Sequence, residues 1–125
     1  MKKILVVDDE KEICSLVENV LSGEGYQVFK ANKCDEVLSR LDEISPDLIL
    51  IDVIMPEMSG IELCEKIKEN PLFENVPVLM MTGYDNEERK ADSYASGANN
   101  FIAKPFNIKE LVSIIKNEFA EVQHS

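Results

Sequence analysis

The apolar residues of this chain fall into short blocks separated by polar stretches. ILVV (4–7), LILI (48–51) and VPVLMM (76–81) are nearly continuous runs, the form taken by strands covered on both faces, and the segments Tyr26 to Ala31 and NFIA (100–103) are short and rich in strand formers. Between these blocks the spacing changes. Ile13, Leu16, Val17, Val20 and Leu21 recur at three and four, the spacing of one buried helix face, with Gly23 and Gly25 as stop signals. Val37, Leu38 and Leu41 give a shorter stripe closed by Pro46, and Ile61, Leu63, Cys64 and Ile67 give a third that Asn70-Pro71 breaks. Leu111, Val112, Ile114, Ile115 and Phe119 mark the last helix. The polar stretch from Asp85 to Ser96 holds few apolar residues beyond Ala91, Tyr94 and Ala95; a helix is expected there too, with Gly97 as its left-handed cap.

Strict alternation of strand and helix predicts an α/β protein with a parallel sheet, right-handed crossovers and helices on both faces, in three αβα layers. Residues 1–125 are about one domain in length and are expected to form a single one. With 24 acidic and 13 basic residues the net charge is −11, which opposes attraction to nucleic acid or anionic lipid. A hydrophobic content of 45% still places the chain among folded proteins. Cys14, Cys34 and Cys64 are odd in number and widely spaced, so neither a disulfide framework nor a zinc site is expected, and a reducing, cytoplasmic setting follows. Acids interrupt MKKILVVDDE after four apolar residues, too soon for a signal sequence or a membrane span.

The candidate chemistry sits where the strands stop. Asp8 and Asp9 follow ILVV, Asp52 follows LILI, Thr82 follows VPVLMM, and Lys104-Pro105 follows NFIA. In a parallel sheet those ends gather on one edge. Three carboxylates packed together repel one another, so the cluster makes sense if a hard divalent cation and a transferable anion neutralise them. Taken singly, each residue has a plainer reading: Asp8 or Asp9 as a helix cap, Asp52 as a loop acid, Thr82 as a turn hydroxyl, Lys104 as a solvated strand end and Phe101 as a core aromatic. Their joint occurrence at strand ends is what points to a site. A carboxylate such as Asp52 can act as a nucleophile and form an aspartyl phosphate, and an ammonium such as Lys104 can stabilise the charge spread over phosphoryl oxygens.

These residues, at these spacings, resemble the receiver domain of bacterial two-component response regulators, and the resemblance runs from Lys3 to about Glu118. It implies a flavodoxin-like (βα)5 fold with a five-stranded parallel sheet in the order 2-1-3-4-5, similar to single-domain chemotaxis regulators. Strands one and three then meet at the topological switch point, where such sheets place ligands. It also implies roles. Asp52 would be the phosphoacceptor; Asp8, Asp9, Asp52 and the backbone carbonyl of Ile54 would hold Mg2+; Thr82 would be the switch hydroxyl, Phe101 the aromatic switch and Lys104 the charge on the phosphoryl group. The Lys104-Pro105 bond would be cis. The implied partners are a sensor histidine kinase or histidine phosphotransfer protein and a downstream effector, the latter contacting the face made by the helix over 85–96, the strand over 101–103 and the last helix. The unphosphorylated chain is expected to be a monomer that catalyses only its own modification. The alternative is a receiver portion of a longer DNA-binding regulator or hybrid histidine kinase.

Competing readings lack their residues. An aspartyl-phosphate phosphatase would need a D-x-D-like motif after the first strand, where this chain has Asp8-Asp9-Glu10. Dinucleotide, P-loop and flavin sites need loops that present N–H groups to phosphate after that strand, where acids stand instead. Gly83 leaves room beside Thr82, and Pro56 and Gly60 suit the turn after the third strand, with Gly60 expected at positive φ. His124, the single histidine, reads as a solvated tail.

Overall fold

The computed structural model describes residues 1–55, 58–83 and 94–124, with side chains as far as residue 120. Five parallel strands, β1 (Lys3–Val7), β2 (Gln27–Ala31), β3 (Leu48–Asp52), β4 (Val78–Thr82) and β5 (Asn100–Ala103), form one sheet in the order β2-β1-β3-β4-β5. The helices are α1 (Lys11–Gly23), α2 (Cys34–Ile44), α3 (Gly60–Glu69) and α4 (Ile108–His124). Of the helix expected over 85–96, only Tyr94, Ala95 and Ser96 belong to the described residues, and Tyr94 and Ala95 are helical. Pro56, Tyr84 and Ala91 lie outside them.

The continuous apolar runs are sorted by the pleat. Successive side chains on a strand point to opposite faces, so Leu5, Val7, Ile49, Ile51, Val78 and Met80 join one core with α2 and α3. Ile4, Val6, Leu48, Leu50, Leu79, Met81 and Ile102 join a second core with α1 and α4. Both faces are covered, which is why these strands read as unbroken hydrophobic runs rather than alternating ones. Full burial of each such aliphatic side chain contributes roughly 1.5–3 kcal/mol, and ordering the chain offsets most of it.

Three local expectations change. Leu16 and Leu38, placed on buried stripes by their spacing, are 42% and 39% exposed. The buried line of α1 is Cys14, Val17 and Leu21 and that of α2 is Cys34, Val37, Leu41 and Ile44; Leu16 and Leu38 each sit about 100° around the helix from a residue of that line. Gly60 has no positive φ; it opens α3, where a Cβ would stand 2.1 Å from the Asp52 carbonyl oxygen and 2.8 Å from Ile51 Cγ2. Its smallness lets the helix start against the backbone of β3. His124, expected in a solvated tail, is the last residue of α4, with its side chain outside those described. Gly97 does adopt the left-handed conformation, at φ 106°. Among the described residues no helix is long and apolar enough to cross a membrane.

Candidate functional site

The parallel register brings the strand ends together. Val7 lies opposite Ile51, Asp52 opposite Met81 and Thr82 opposite Ala103, so Asp8, Asp52, Thr82 and Lys104 follow one another across the C-terminal edge of β1, β3, β4 and β5. Asp8 is fully buried and Asp52 nearly so, whereas Asp9 is exposed. Carboxylate oxygens of the three acids all lie within 4.8 Å of one another. Lys104 reaches into this group, its Nζ donating to Asp8 Oδ2 at 2.6 Å and to Asp52 Oδ2 at 3.3 Å. The Lys104-Pro105 peptide bond is cis.

Neither Asp8 nor Asp9 caps α1: the N-cap position is Glu10, with no side-chain cap bond. Asp8 instead folds back locally, its Oδ1 accepting from the Glu10 N–H at 2.9 Å, while Oδ2 faces Lys104. Asp52 Oδ1 similarly accepts from the Ile54 N–H at 3.2 Å. Those bonds leave both carboxylates facing the same space at the sheet edge.

One ammonium cannot balance three carboxylates, and the electrostatics record the shortfall. Burial, followed by the Asp8 charge, pushes the Asp52 carboxyl from 3.8 up to about 6, against the opposing pull of Lys104 and the Ile54 N–H. Burial works against the charge on Lys104, but the Asp8 hydrogen bond and the Asp52 and Asp8 charges together outweigh it and raise its pKa above the ordinary lysine value. A crowded set of hard oxygens short of positive charge fits a small divalent cation such as Mg2+, which takes oxygen ligands in an octahedron and usually keeps several waters.

Thr82 is buried at the end of β4, and its carbonyl accepts from the Lys104 N–H at 2.6 Å. Phe101 pairs with Met80, two residues before Thr82, and packs against the core shared with α2 and α3. By the two-residue period of the strands, Thr82 and Phe101 stand on that same face of the sheet. The ring of Phe101 also meets Tyr94 edge to face, with centroids 6.3 Å apart. Ile54 flanks the site with 45% of its surface exposed, and a Cβ on Gly83 would meet no atom within 4 Å.

Two contacts were not legible in the chain. Asn32 Nδ2 donates to the Asp8 carbonyl at 3.0 Å, and Cys14 Sγ approaches the same oxygen at 3.5 Å. Burial, then the Asp8 charge, pushes the Cys14 thiol up to about 11, so it stays a protonated donor at neutral pH. Neither residue follows a strand that carries an acid of the cluster, and no motif spacing links them to Asp8.

The sequence profile of the response regulator receiver domain matches residues 4–116. The chain is 40% identical over 114 residues to regulatory protein VanR of Enterococcus faecium, covering 91% of this chain and 48% of that protein. It is 39% identical over 115 residues to the phosphate regulon transcriptional regulatory protein PhoB of Escherichia coli, covering 92% and 50%. It thus spans about half the length of the curated relatives it matches. Among solved structures, a CheY-like response regulator receiver domain protein from Methanospirillum hungatei superposes with a TM-score of 0.93 at 34% identity, covering 99% of this chain and 98% of that one. The Vibrio cholerae chemotaxis protein CheY4 gives 0.90 at 32% identity, covering 94% and 98%. A matched profile over nearly the whole chain, close relatives and a shared five-stranded order agree, and the chain belongs to the response regulator receiver domain family, as a receiver of a two-component system.

Proposed function

We propose that this chain takes a phosphoryl group onto Asp52 from the phosphohistidine of a sensor histidine kinase or histidine phosphotransfer protein. The observation that carries this reading is Lys104 Nζ lying within hydrogen-bond reach of both Asp8 and Asp52 beside three clustered carboxylates. An Asp52 oxygen attacks phosphorus, the P–N bond to imidazole breaks, and the imidazole nitrogen keeps the electron pair. Lys104 turns from Asp52 toward the incoming phosphoryl oxygens, and Asp8 keeps its ammonium oriented. Asp8, Asp9, Asp52 and the Ile54 carbonyl hold Mg2+, which when bound supplies positive charge that offsets both the acids and the phosphoryl group. Thr82 then turns its hydroxyl toward the new phosphoryl oxygens, and Phe101 fills the space it leaves. Water later attacks phosphorus, releasing phosphate and restoring Asp52. The chain thus catalyses only its own modification and its reversal.

Its signal passes to an effector protein through the face bearing β5, α4 and the segment before β5, in the cytoplasm. Residues 1–125 act as one domain. Acetyl phosphate with Mg2+ should add one phosphoryl group to the wild type, seen by intact mass spectrometry, and none to Asp52→Asn; equal labelling of both would reject the assignment.

A second reading, a receiver within a longer DNA-binding regulator, rests on the similarity to relatives of about twice this length. Family members of that kind pair through acids where this chain has Asn99 and Asn100. The Asn99 side-chain oxygen is instead engaged within the chain, accepting from the Val78 N–H at 3.0 Å at the start of β4, and the Asn100 oxygen accepts from the Phe101 N–H at 2.8 Å. This favours a monomer, and light scattering with and without beryllofluoride tests it: activation-dependent dimers would favour the second reading.

A further inference from the structure

The three acids are held unevenly. Asp52 is fixed by its strand, the Ile54 N–H and Lys104, and Asp8 by Lys104 and the Glu10 N–H. Asp9 is exposed, and among the described residues none hydrogen-bonds to its carboxylate, so no side-chain contact anchors it and the backbone sets where its Cα sits and which positions its oxygens can reach.

That backbone is gripped at Asp8. The peptide plane before Asp8 is fixed by its N–H, which donates to the Ala31 carbonyl at 3.1 Å. The plane after it, which leads to Asp9, is fixed through the Asp8 carbonyl by Asn32 Nδ2 at 3.0 Å and Cys14 Sγ at 3.5 Å. A carbonyl oxygen can only accept, so the amide nitrogen of Asn32, not its oxygen, must face it. The Asn32 amide is the stronger of the two donors, since a thiol is a weak one.

We propose that Asn32 is a positioning residue for the divalent-cation site: its amide holds the Asp8–Asp9 peptide so that Asp9 presents its carboxylate beside Asp8 and Asp52. This rests on the reading of the acidic cluster as a Mg2+ site. Without the amide, the plane is held by the thiol alone and the Asp9 oxygens shift. A Mg2+ site, with its short bonds and near-ideal octahedron, is sensitive to such a shift, whereas Ca2+ accepts longer bonds and irregular geometry. A purely structural role for Asn32 would not separate the two ions.

The test is calorimetric titration of the whole chain with MgCl2 and, separately, CaCl2. Asn32→Ala should weaken Mg2+ binding about tenfold, the scale seen when groups that orient metal ligands are removed. Its Ca2+ affinity should fall by less than about threefold, because that ion tolerates the displaced ligand. Asn32→Leu, near in size and lacking a donor, gives the same comparison if the alanine variant is unstable. Unchanged Mg2+ affinity in a folded variant, or equal losses for both ions, would overturn the proposal. Asp9→Asn separates the two layers. If it too leaves Mg2+ binding unchanged, the reading of the cluster as a cation site fails; if it weakens binding while the Asn32 variants do not, only the positioning role fails.

Discussion

Removing the charge of Asp52 should stabilise the metal-free protein, although it removes the proposed phosphoacceptor. The carboxyl is buried beside Asp8 and titrates at about 6 in the folded chain against 3.8 for an unperturbed aspartate. The folded state therefore binds this proton more tightly than the unfolded state does. Below the unfolded value both states are protonated and no penalty exists; as pH rises from there through the folded value the penalty grows, and above it the penalty is complete. A difference of about two pH units corresponds to about 3 kcal/mol. The neutral amide of Asp52→Asn would carry none of it, while Lys104 keeps its shorter bond to Asp8. For a chain of this length about 3 kcal/mol is on the order of 10 °C in Tm. Thermal unfolding of wild type and Asp52→Asn in chelator, from pH 5 to pH 8, measures it. The variant should melt higher at pH 8, and the gap should narrow toward pH 5. Mg2+ at a hundred times its Kd should then stabilise the wild type by about 2.7 kcal/mol and close most of the gap, since the variant lacks one of the proposed ligands. A gap that stays flat across this pH range, or a variant that melts lower in chelator at pH 8, would refute the charge-crowding account.

Other outcomes follow from the same geometry. Thr82→Ala should still be phosphorylated by acetyl phosphate, but NMR shifts around Phe101 on adding beryllofluoride should shrink by half or more; a response equal to wild type would break the proposed coupling. Gly60→Ala should lose at least about 2 kcal/mol in denaturant unfolding, because the new methyl meets the Asp52 carbonyl rather than a movable side chain, and a loss under about 0.5 kcal/mol would mean α3 can retreat freely. Ile54→Asn, which replaces the 45% exposed apolar side chain two residues beyond Asp52, should speed phosphate release several-fold by opening a path for water, and slower release than wild type would contradict that role for Ile54.

Much of this architecture is written locally along the chain. Unbroken runs such as LILI force strands covered on both faces, and strand-helix alternation then leaves few topologies besides a parallel sheet with layers on either side. Since all parallel strands end on one edge, residues placed just after them must converge, which is why Asp8, Asp52, Thr82 and Lys104 could be nominated from position alone. The order of the strands was legible only through family resemblance, because apolar pattern says that a strand is buried and not which neighbour buries it. Other features needed the folded backbone. Leu16 and Leu38 fit a helical stripe by spacing, yet a shift of about 100° around the axis puts them outside the core. Gly60 was expected at positive φ, when its actual requirement is the approach of α3 to the Asp52 carbonyl, a distance no sequence window contains. Asn32, just after β2, and Cys14, on α1, reach the Asp8 carbonyl across a pairing set by the register of Val7 with Ala31. Side-chain chemistry at the strand ends was local information, whereas the backbone contacts that hold those side chains in place arise from elements distant in sequence, and only tertiary packing brings them together.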